Sequence, residues 1–358
     1  MPKKIVYCAD GTWDDPNSES NVCRLYNALE NVPGVQVPMY DSGVGTGGLE
    51  FDKWLGGGLG AGLFSKIKDG YAAIAEQYQP GDQVFLFGFS RGAYTARCLG
   101  GMIAICGLPT KYPTDSRCVD GAFDAYRHPE QRNALLAGLN ATYAMQNAGI
   151  QLLGVWDTVG SLGIPAIFGE IDPMQYGFLS TELHPDVRNA VQALAIDERR
   201  MQFQPALWST PSSPTQMVRQ VWFSGVHCDV GGGYPADSGG ASLANITLRW
   251  MAGFAAAQGL TFKTGSLPAL GVAVDALATL HDSRTGAYRI FPPHVRAVGA
   301  TASVAASVAV RVQHAASAYA PENLHISGGR LASTYNIVNA DAPPVDPGDQ
   351  EELTQATV

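Results

Sequence analysis

The segment Val84-Phe-Leu-Phe-Gly-Phe-Ser-Arg-Gly92 joins an apolar run to a helical pattern through Gly-x-Ser-x-Gly, with Ser90 at its centre. Apolar residues on both faces, as in Val84–Phe89, are typical of a central strand in a parallel sheet. Residues Arg91–Ile105 follow with helical spacing. A serine on a sharp strand-to-helix turn needs glycine two positions to either side, so that strand and helix can approach closely. The segment therefore predicts a nucleophilic serine, although a chance pentapeptide is the alternative in a chain with 41 glycines.

Further apolar runs alternate with helical patterns along the chain. The predicted strands are Ile5–Ala9, Leu152–Trp156 and Val221–Val226, and the predicted helices are Asn21–Glu30, Ser65–Tyr78, Glu130–Ala148 and Ser242–Gln258. Residues 190–196 fit either a strand or the start of a helix at Arg188–Leu194. This alternation predicts an α/β fold with a doubly wound, mainly parallel sheet in an α/β-hydrolase-like three-layer sandwich.

The composition of the chain indicates its domain organisation and argues against one class of partner. With 46% apolar and 15% charged residues, the chain of 358 residues can fill a large core. We expect one domain over residues 1–340 with a glycine-rich flap at 43–62, and a disordered, acidic, proline-rich tail at 341–358. The formal charge of 23 − 32 = −9 argues against a nucleic-acid partner, which would need a basic face.

Targeting and redox signals are weak. The apolar run Ile5–Ala9 is too short for a signal-peptide core, and the run over residues 297–310 is too short to span a bilayer. We therefore expect no transmembrane segment, and a cytoplasmic location or export without a Sec signal. The six scattered cysteines, with no Cys-x-x-Cys pair, predict free thiols, neither a disulfide framework nor a metal site.

An acid and a base are predicted at the ends of two other strands. Asp157 follows Leu152–Trp156, and His227 follows the run that begins at Val221. The carboxyl ends of parallel strands share one edge of a sheet, and α/β-hydrolases supply the triad in the order serine, acid, histidine. The sequence predicts a triad of Ser90, Asp157 and His227. A helix-capping Asp157 and a structural core His227 are the alternatives.

Other residues compete for the acid and base roles. Asp197 also follows an apolar run and is the alternative acid, unless it forms an ion pair with Arg199 or Arg200. His281 and His314, both in loop-like settings, are the alternative bases. The sequence favours His227 because only it directly follows a core strand.

Backbone amides near the elbow are candidates for an oxyanion hole. The amide of Arg91 would face the site from a helix N-terminus, and Gly11 and Thr12 follow the first strand, where a simple turn is the alternative.

In the glycine-rich flap, Trp54 and Leu55 either offer apolar surface to a lipid-like substrate or anchor the loop to the core. Gly43–Gly48 matches Gly-x-Gly-x-x-Gly without opening a helix, so no cofactor is predicted.

Six motifs together resemble the DUF2235 α/β-hydrolase domain, which is shared with type VI secretion phospholipase effectors of the Tle1 type. They are Asp10-Gly-Thr-Trp13, Tyr40-Asp-Ser-Gly-Val-Gly-Thr46, Phe87-Gly-Phe-Ser-Arg-Gly-Ala93 with Arg97, Gly154-Val-Trp-Asp-Thr-Val159, Ala193-Leu-Ala-Ile-Asp-Glu198 and Trp222-Phe-Ser-Gly-Val-His-Cys-Asp-Val-Gly-Gly-Gly-Tyr234. The resemblance spans roughly Lys4 to Leu324.

The resemblance implies a serine hydrolase that uses Ser90, Asp157 and His227, and in the effector branch it implies cleavage of phospholipid acyl esters. It also implies delivery by the type VI route and a secretion-system or immunity protein as partner. Gln192 stands where the family usually has a histidine. A catalytically silent hydrolase scaffold used for protein interaction is the competing interpretation.

Overall fold

The computed structural model describes residues 2–11, 20–43, 59–159, 183–209, 211, 213–266 and 274–339. Eight strands form one sheet in which all neighbours run parallel. In chain order they are β1 (Lys4–Ala9), β2 (Gln36–Asp41), β3 (Gln83–Phe89), β4 (Ile150–Trp156), β5 (Asn189–Ala195), β6 (Met217–Phe223), β7 (Ser303–Ala305) and β8 (Asn336–Val338). Across the sheet the order is β8-β7-β6-β5-β4-β3-β1-β2. The predicted doubly wound parallel sheet is confirmed.

Helices cover both faces of this sheet. They are α1 (Asn21–Ala28), α2 (Leu59–Gln77), α3 (Ser90–Cys106), α4 (Ser116–Arg127), α5 (Arg132–Tyr143), α6 (His227–Gly231), α7 (Leu243–Ala257) and α8 (Ala306–Gln313). Helices α2 to α5 bury their apolar residues in one hydrophobic cluster, and α1, α7 and α8 bury theirs in another. Successive side chains of a strand point to opposite faces, so in β1 Val6 joins one cluster and Tyr7 the other. The result is a three-layer sandwich.

Two predicted elements end three or more residues early in the structure. The strand predicted at Val221–Val226 ends at Phe223, because a loop over residues 224–226 leads directly into α6. The helix predicted at Glu130–Ala148 ends at Tyr143, where Ala144 adopts a left-handed conformation with φ of 50°. The ambiguous segment at residues 190–196 is strand β5, buried between β4 and β6.

The end of the predicted flap at residues 43–62 is corrected. Helix α2 begins at Leu59, so residues 59–62 are helical. Leu63 and Phe64 pack against the core, and the ring of Phe64 lies 5.3 Å from that of Phe123. This apolar burial offsets the helix penalty of glycine, which is about 1 kcal/mol per residue. Residues 44–58, with Trp54 and Leu55, lie outside the described residues, as do Thr12 and the predicted tail at 341–358.

All six cysteines carry free thiols, and five of them are buried. Among the described residues, no helix has both the length and the apolar character that crossing a bilayer requires.

Candidate active site

Ser90 lies on the turn between β3 and α3, in a strained backbone conformation. Its φ is 58°, in the left-handed region that residues other than glycine seldom adopt. The two glycines beside it allow the turn. A Cβ atom on Gly88 would lie 2.5 Å from the carbonyl oxygen of Gly92, and one on Gly92 would lie 2.2 Å from the carbonyl oxygen of Ala9. Strand β1, strand β3 and helix α3 therefore meet at a distance that a side chain would prevent.

We expect Gly92→Ala to lower the free energy of unfolding by about 3 kcal/mol, because backbone atoms must move to accommodate the methyl group. The matched control is Gly138→Ala on α5, where an added Cβ meets nothing within 4 Å. This control should raise the free energy of unfolding by about 0.5–1 kcal/mol, the usual gain when alanine replaces a glycine inside a helix. Urea unfolding checks both values, and equal changes in the two variants would contradict the steric account of the elbow.

Asp157 directly follows β4 and is also strained, with φ of 40°. Its side chain is fully buried. Oδ1 accepts from the backbone amide of Ala195 at 3.0 Å, and Oδ2 lies 2.6 Å from Nδ1 of His227. A carboxylate can only accept, so Nδ1 of His227 carries the proton and Nε2 is left as an acceptor in the neutral ring.

His227 is the first residue of α6 and is 3% exposed. Its ring lies 4.6 Å from the ring of Phe89, the residue before Ser90, and 5.0 Å from the edge-on ring of Phe203. The amide of Val159, two residues after Asp157, donates to the carbonyl oxygen of Ser90 at 3.4 Å. The structure thus brings the three predicted residues to one edge of the sheet, at the carboxyl ends of β3, β4 and β6.

Arg296 is a site residue that the sequence analysis missed. Its Nη1 donates to Asp157 Oδ1 at 2.7 Å and to the carbonyl oxygen of Ala195 at 2.8 Å. Its Nη2 donates to Asp157 Oδ2 at 3.0 Å and to the carbonyl oxygen of Phe203. No sequence signal marks Arg296, because it lies in a segment without regular structure and 139 residues from Asp157.

The electrostatics favour an ionised acid beside a neutral base. Burial raises the pKa of Asp157, but the charge of Arg296 and the hydrogen bond from His227 hold that pKa below its usual range. Burial lowers the pKa of His227 more than the carboxylate of Asp157 raises it. At neutral pH, His227 is therefore in the form that can accept a proton.

A second carboxylate supports the backbone of His227. Glu198 Oε2 accepts from the amide of His227 at 3.2 Å, and Oε1 accepts from the hydroxyl of Ser283 at 2.8 Å. Arg200 forms an ion pair with Glu198 at 2.8 Å, and its guanidinium carbon lies 3.5 Å from the centre of the Phe203 ring. Burial raises the pKa of Glu198, but Arg200 lowers it overall. Glu198 was not among the predicted site residues, although it directly follows the predicted Asp197.

Position 192, where the resembling family usually has a histidine, supports the same region. Gln192 is fully buried on β5 and accepts from the hydroxyl of Thr158, the neighbour of Asp157, at 2.5 Å. Its Nε2 donates to the carbonyl oxygen of Ala206 at 3.1 Å. The glutamine holds the chain that leaves β4 after the acid.

The alternative acid has other partners. Asp197 Oδ2 accepts from the amide of Gly225 at 2.6 Å and from the hydroxyl of Tyr319 at 2.8 Å. Burial raises the pKa of Asp197 to about 6. The structure brings Asp197 to the end of β5 but pairs it with these two groups, whereas His227 is paired with Asp157.

The two alternative bases, His281 and His314, have other settings in the structure. His281 Nδ1 lies 2.6 Å from Oδ1 of Asp229 on α6, and its ring stacks on Tyr234 with centroids 4.0 Å apart. It therefore has a carboxylate partner of its own. His314 is an exposed residue that ends α8, where its amide donates to the carbonyl oxygen of Val310 at 3.1 Å.

The predicted oxyanion donors have different settings. Arg91 lies in the first turn of α3, at the positive end of the helix dipole. The amide of Gly11 donates to Oδ1 of Asp10 at 2.8 Å, so in this conformation it is engaged within its own turn. Asp10 also accepts from the hydroxyls of Ser20 and Tyr40.

The comparisons with known proteins include one yeast relative and two solved structures. The uncharacterized protein YEL023C of Saccharomyces cerevisiae is 28% identical over 225 residues, 56% of this chain and 32% of the yeast protein. An uncharacterized protein from Pseudomonas aeruginosa is 16% identical with a TM-score of 0.41, over 70% of this chain and 45% of that one. The Tle1 effector bound to the VgrG spike of the type 6 secretion system is 20% identical with a TM-score of 0.37, over 66% and 52%.

The chain thus spans about a third of the yeast protein and about half of each solved chain. A family model, described as the catalytic domain of Tle1-like phospholipase effectors of the type VI secretion system, matches residues 3–253, which is more than half of the sequence. The chain belongs to this Tle1-like catalytic domain family.

Proposed function

We propose that the chain is a serine hydrolase that cleaves carboxylic esters through an acyl-enzyme. Ser90 is the nucleophile, His227 the general base, and Asp157 the acid that orients the base. The observation that carries the proposal is the 2.6 Å bond between His227 Nδ1 and Asp157 Oδ2, at the sheet edge where β3 ends in the strained Ser90 turn. Strained residues persist at functional sites when the surrounding structure enforces them.

The reaction proceeds in two halves. As Ser90 Oγ attacks the ester carbonyl carbon, its proton passes to Nε2 of His227, and Asp157 stabilises the resulting imidazolium. The amide of Arg91 stabilises the negative charge on the carbonyl oxygen. When the intermediate collapses, the alcohol leaves with the proton from His227 and the acyl group stays on Ser90. A water molecule, deprotonated by His227, then attacks the acyl carbon. The bond to Ser90 Oγ breaks, Ser90 Oγ takes the proton back from His227, and the carboxylic acid is released.

The substrate class rests on the family. Because the chain belongs to a family described by its phospholipase effectors, we propose lipid or phospholipid acyl esters as substrates. The same description supports delivery by the type VI route, with a partner from the secretion machinery or an immunity protein. A hydrolysis panel of short acyl esters, lysophospholipids and diacylphospholipids tests the substrate class, and cleavage of the short esters alone would restrict the function to a simple esterase.

We expect a fluorophosphonate probe to label the native protein stoichiometrically at Ser90. Ser90 Oγ displaces fluoride at phosphorus as His227 accepts its proton, so labelling needs the same activated hydroxyl as ester cleavage. Intact mass and peptide mapping measure the extent and the position of the label.

The controls for this labelling are Ser90→Ala and the urea-denatured wild type, neither of which should react. Native protein that stays unlabelled would contradict the proposal and would favour a catalytically silent scaffold used for protein interaction.

A further inference from the structure

Arg296 is buried beneath the Asp157–His227 pair. The residue is 1% exposed, and its guanidinium lies between the end of β5 and the turn over residues 201–203. Each terminal nitrogen makes two hydrogen bonds, one to an oxygen of Asp157 and one to a backbone carbonyl. The planar fork of arginine matches both oxygens of a carboxylate at once, which a lysine cannot do.

These contacts leave the carboxylate of Asp157 no freedom to rotate. Oδ1 lies between Nη1 of Arg296 and the amide of Ala195, at 2.7 and 3.0 Å. Oδ2 lies between Nη2 of Arg296 and Nδ1 of His227, at 3.0 and 2.6 Å. The orientation of the carboxylate, and through it that of the imidazole, therefore depends on the guanidinium.

Arg296 also positions Phe203, an aromatic residue that contacts His227. Its Nη2 donates to the carbonyl oxygen of Phe203, whose ring contacts the ring of His227 edge-on at 5.0 Å. One guanidinium thus binds both the carboxylate and the backbone of the aromatic residue that contact the imidazole.

Fold stability alone is a poor explanation for such an arrangement. Desolvation of two buried ions offsets most of their attraction, and apolar residues of similar volume are often as stabilising. A role in orienting the carboxylate gives a reason for a bidentate buried arginine at this place.

We infer that Arg296 is a positioning residue for the proposed ester hydrolysis, which fixes the Asp157 carboxylate so that it holds His227 toward Ser90. The inference rests on the proposed function. Arg296 acts through Asp157 and is not itself a catalytic residue.

The charge of Arg296 has a consequence for the pH profile. The charged groups that face His227 are Asp157, Glu198 and Arg200, with Arg296 behind Asp157. The competent form of the Asp157–His227 pair carries a net charge of about −1, with the acid ionised and the base neutral. Removing a neighbouring cation disfavours that form, so the acid limb of the pH–rate profile moves to higher pH.

The test compares Arg296→Met, which removes the charge, with Arg296→Lys, which keeps it. We expect Arg296→Met to lower kcat by about 10²-fold or more, with KM nearly unchanged, and to raise the midpoint of the acid limb by about one pH unit. Arg296→Lys should lose about 10-fold in kcat, because the fork is lost, while its acid limb stays in place.

Arg311→Met is the matched control for the loss of a buried arginine. Arg311 is 8% exposed, and its Nη1 donates to the carbonyl oxygens of Ala276 and Ala278. Its replacement should leave the acid limb unmoved. An acid limb in Arg296→Met that coincides with that of the wild type, or an equal displacement in Arg311→Met, would overturn the inference.

A readout without turnover keeps the inference separable from the proposed function. In the Ser90→Ala background, the Nδ1 proton of His227 gives a downfield proton NMR signal when the bond to Asp157 is fixed. We expect this signal to persist with Arg296→Lys and to be lost by exchange with Arg296→Met. An unchanged signal in a folded Arg296→Met protein contradicts positioning by Arg296, whereas hydrolysis by Ser90→Ala contradicts the proposed function.

If Arg296→Met does not fold, the comparison of wild type with Arg296→Lys decides. A kcat for Arg296→Lys equal to that of the wild type would overturn a role for the bidentate fork. A roughly 10-fold lower kcat with an unchanged KM and acid limb would support it.

Discussion

Replacement of Ser90 by alanine is expected to lower kcat/KM for ester hydrolysis by about 10⁶-fold, the loss found when a triad nucleophile is removed. The residual rate over water comes from the oxyanion donors and from substrate binding. The fold should survive, because Ser90 is only half-buried on the elbow and alanine tolerates the same backbone conformation about as well as serine. Initial rates on a chromogenic ester and urea unfolding curves provide the two measurements.

Ser65→Ala is the control for the loss of a serine hydroxyl. Ser65 is exposed on α2, and its hydroxyl donates to Asp69 at 3.2 Å. Its replacement should leave the rate unchanged. A hydrolysis rate of Ser90→Ala within a few-fold of the wild-type rate would exclude the mechanism. A loss of rate matched by an equal loss of folded protein would assign Ser90 a structural role.

The strands that position the site could be predicted because they are central. Strands β1, β3 and β4 are covered on both faces over most of their length, so their sequences are almost continuous apolar runs. In β6 only the last three residues, Val221–Phe223, are buried, and these are the residues that the apolar run predicted. Strand β2 was missed because it lies at the edge of the sheet, is mostly half-buried and contains Pro38. Edge strands tolerate proline and polar residues, which hides them from a search for apolar runs.

Short elements and distant contacts were also missed. Strands β7 and β8 have three residues each, too few for a periodic signal, and helix α4 was not predicted. Arg296 shows the wider limit for the site. An acid at the end of a strand is visible in sequence, but its partner comes from a loop whose path is set by the packing of the whole chain.

The loop at residues 224–226 shows that a three-residue error in the predicted end of β6 matters for the chemistry of the site. The sequence placed His227 directly after a strand, whereas β6 ends at Phe223 and His227 begins a short helix. The helix carries both His227 and Asp229, and Asp229 accepts from the amide of Val226 and binds His281. The base is therefore held by a capped helix start, which an extended strand would not supply.

Replacement of Asp157 by asparagine is expected to lower kcat by about 10⁴-fold, because an amide favours the wrong tautomer of His227 and cannot stabilise its imidazolium. The substitution also leaves the buried guanidinium of Arg296 without its counter-charge. We therefore expect the free energy of unfolding to fall by about 3–5 kcal/mol, as when one partner of a buried ion pair is removed. Rates measured under conditions where urea curves show the variant fully folded separate the two effects.

Asp197→Asn is the matched control, since both carboxylates follow neighbouring strands, Asp157 fully buried and Asp197 partly buried. The amide oxygen of an asparagine can still accept from the amide of Gly225 and the hydroxyl of Tyr319, the two partners of Asp197. We expect its rate to stay within a few-fold of the wild type, because none of these contacts reaches His227. The opposite result, an inactive Asp197→Asn beside an active Asp157→Asn, would assign the acid role to Asp197. That outcome would require the 2.6 Å contact of Asp157 with His227 to serve structure alone.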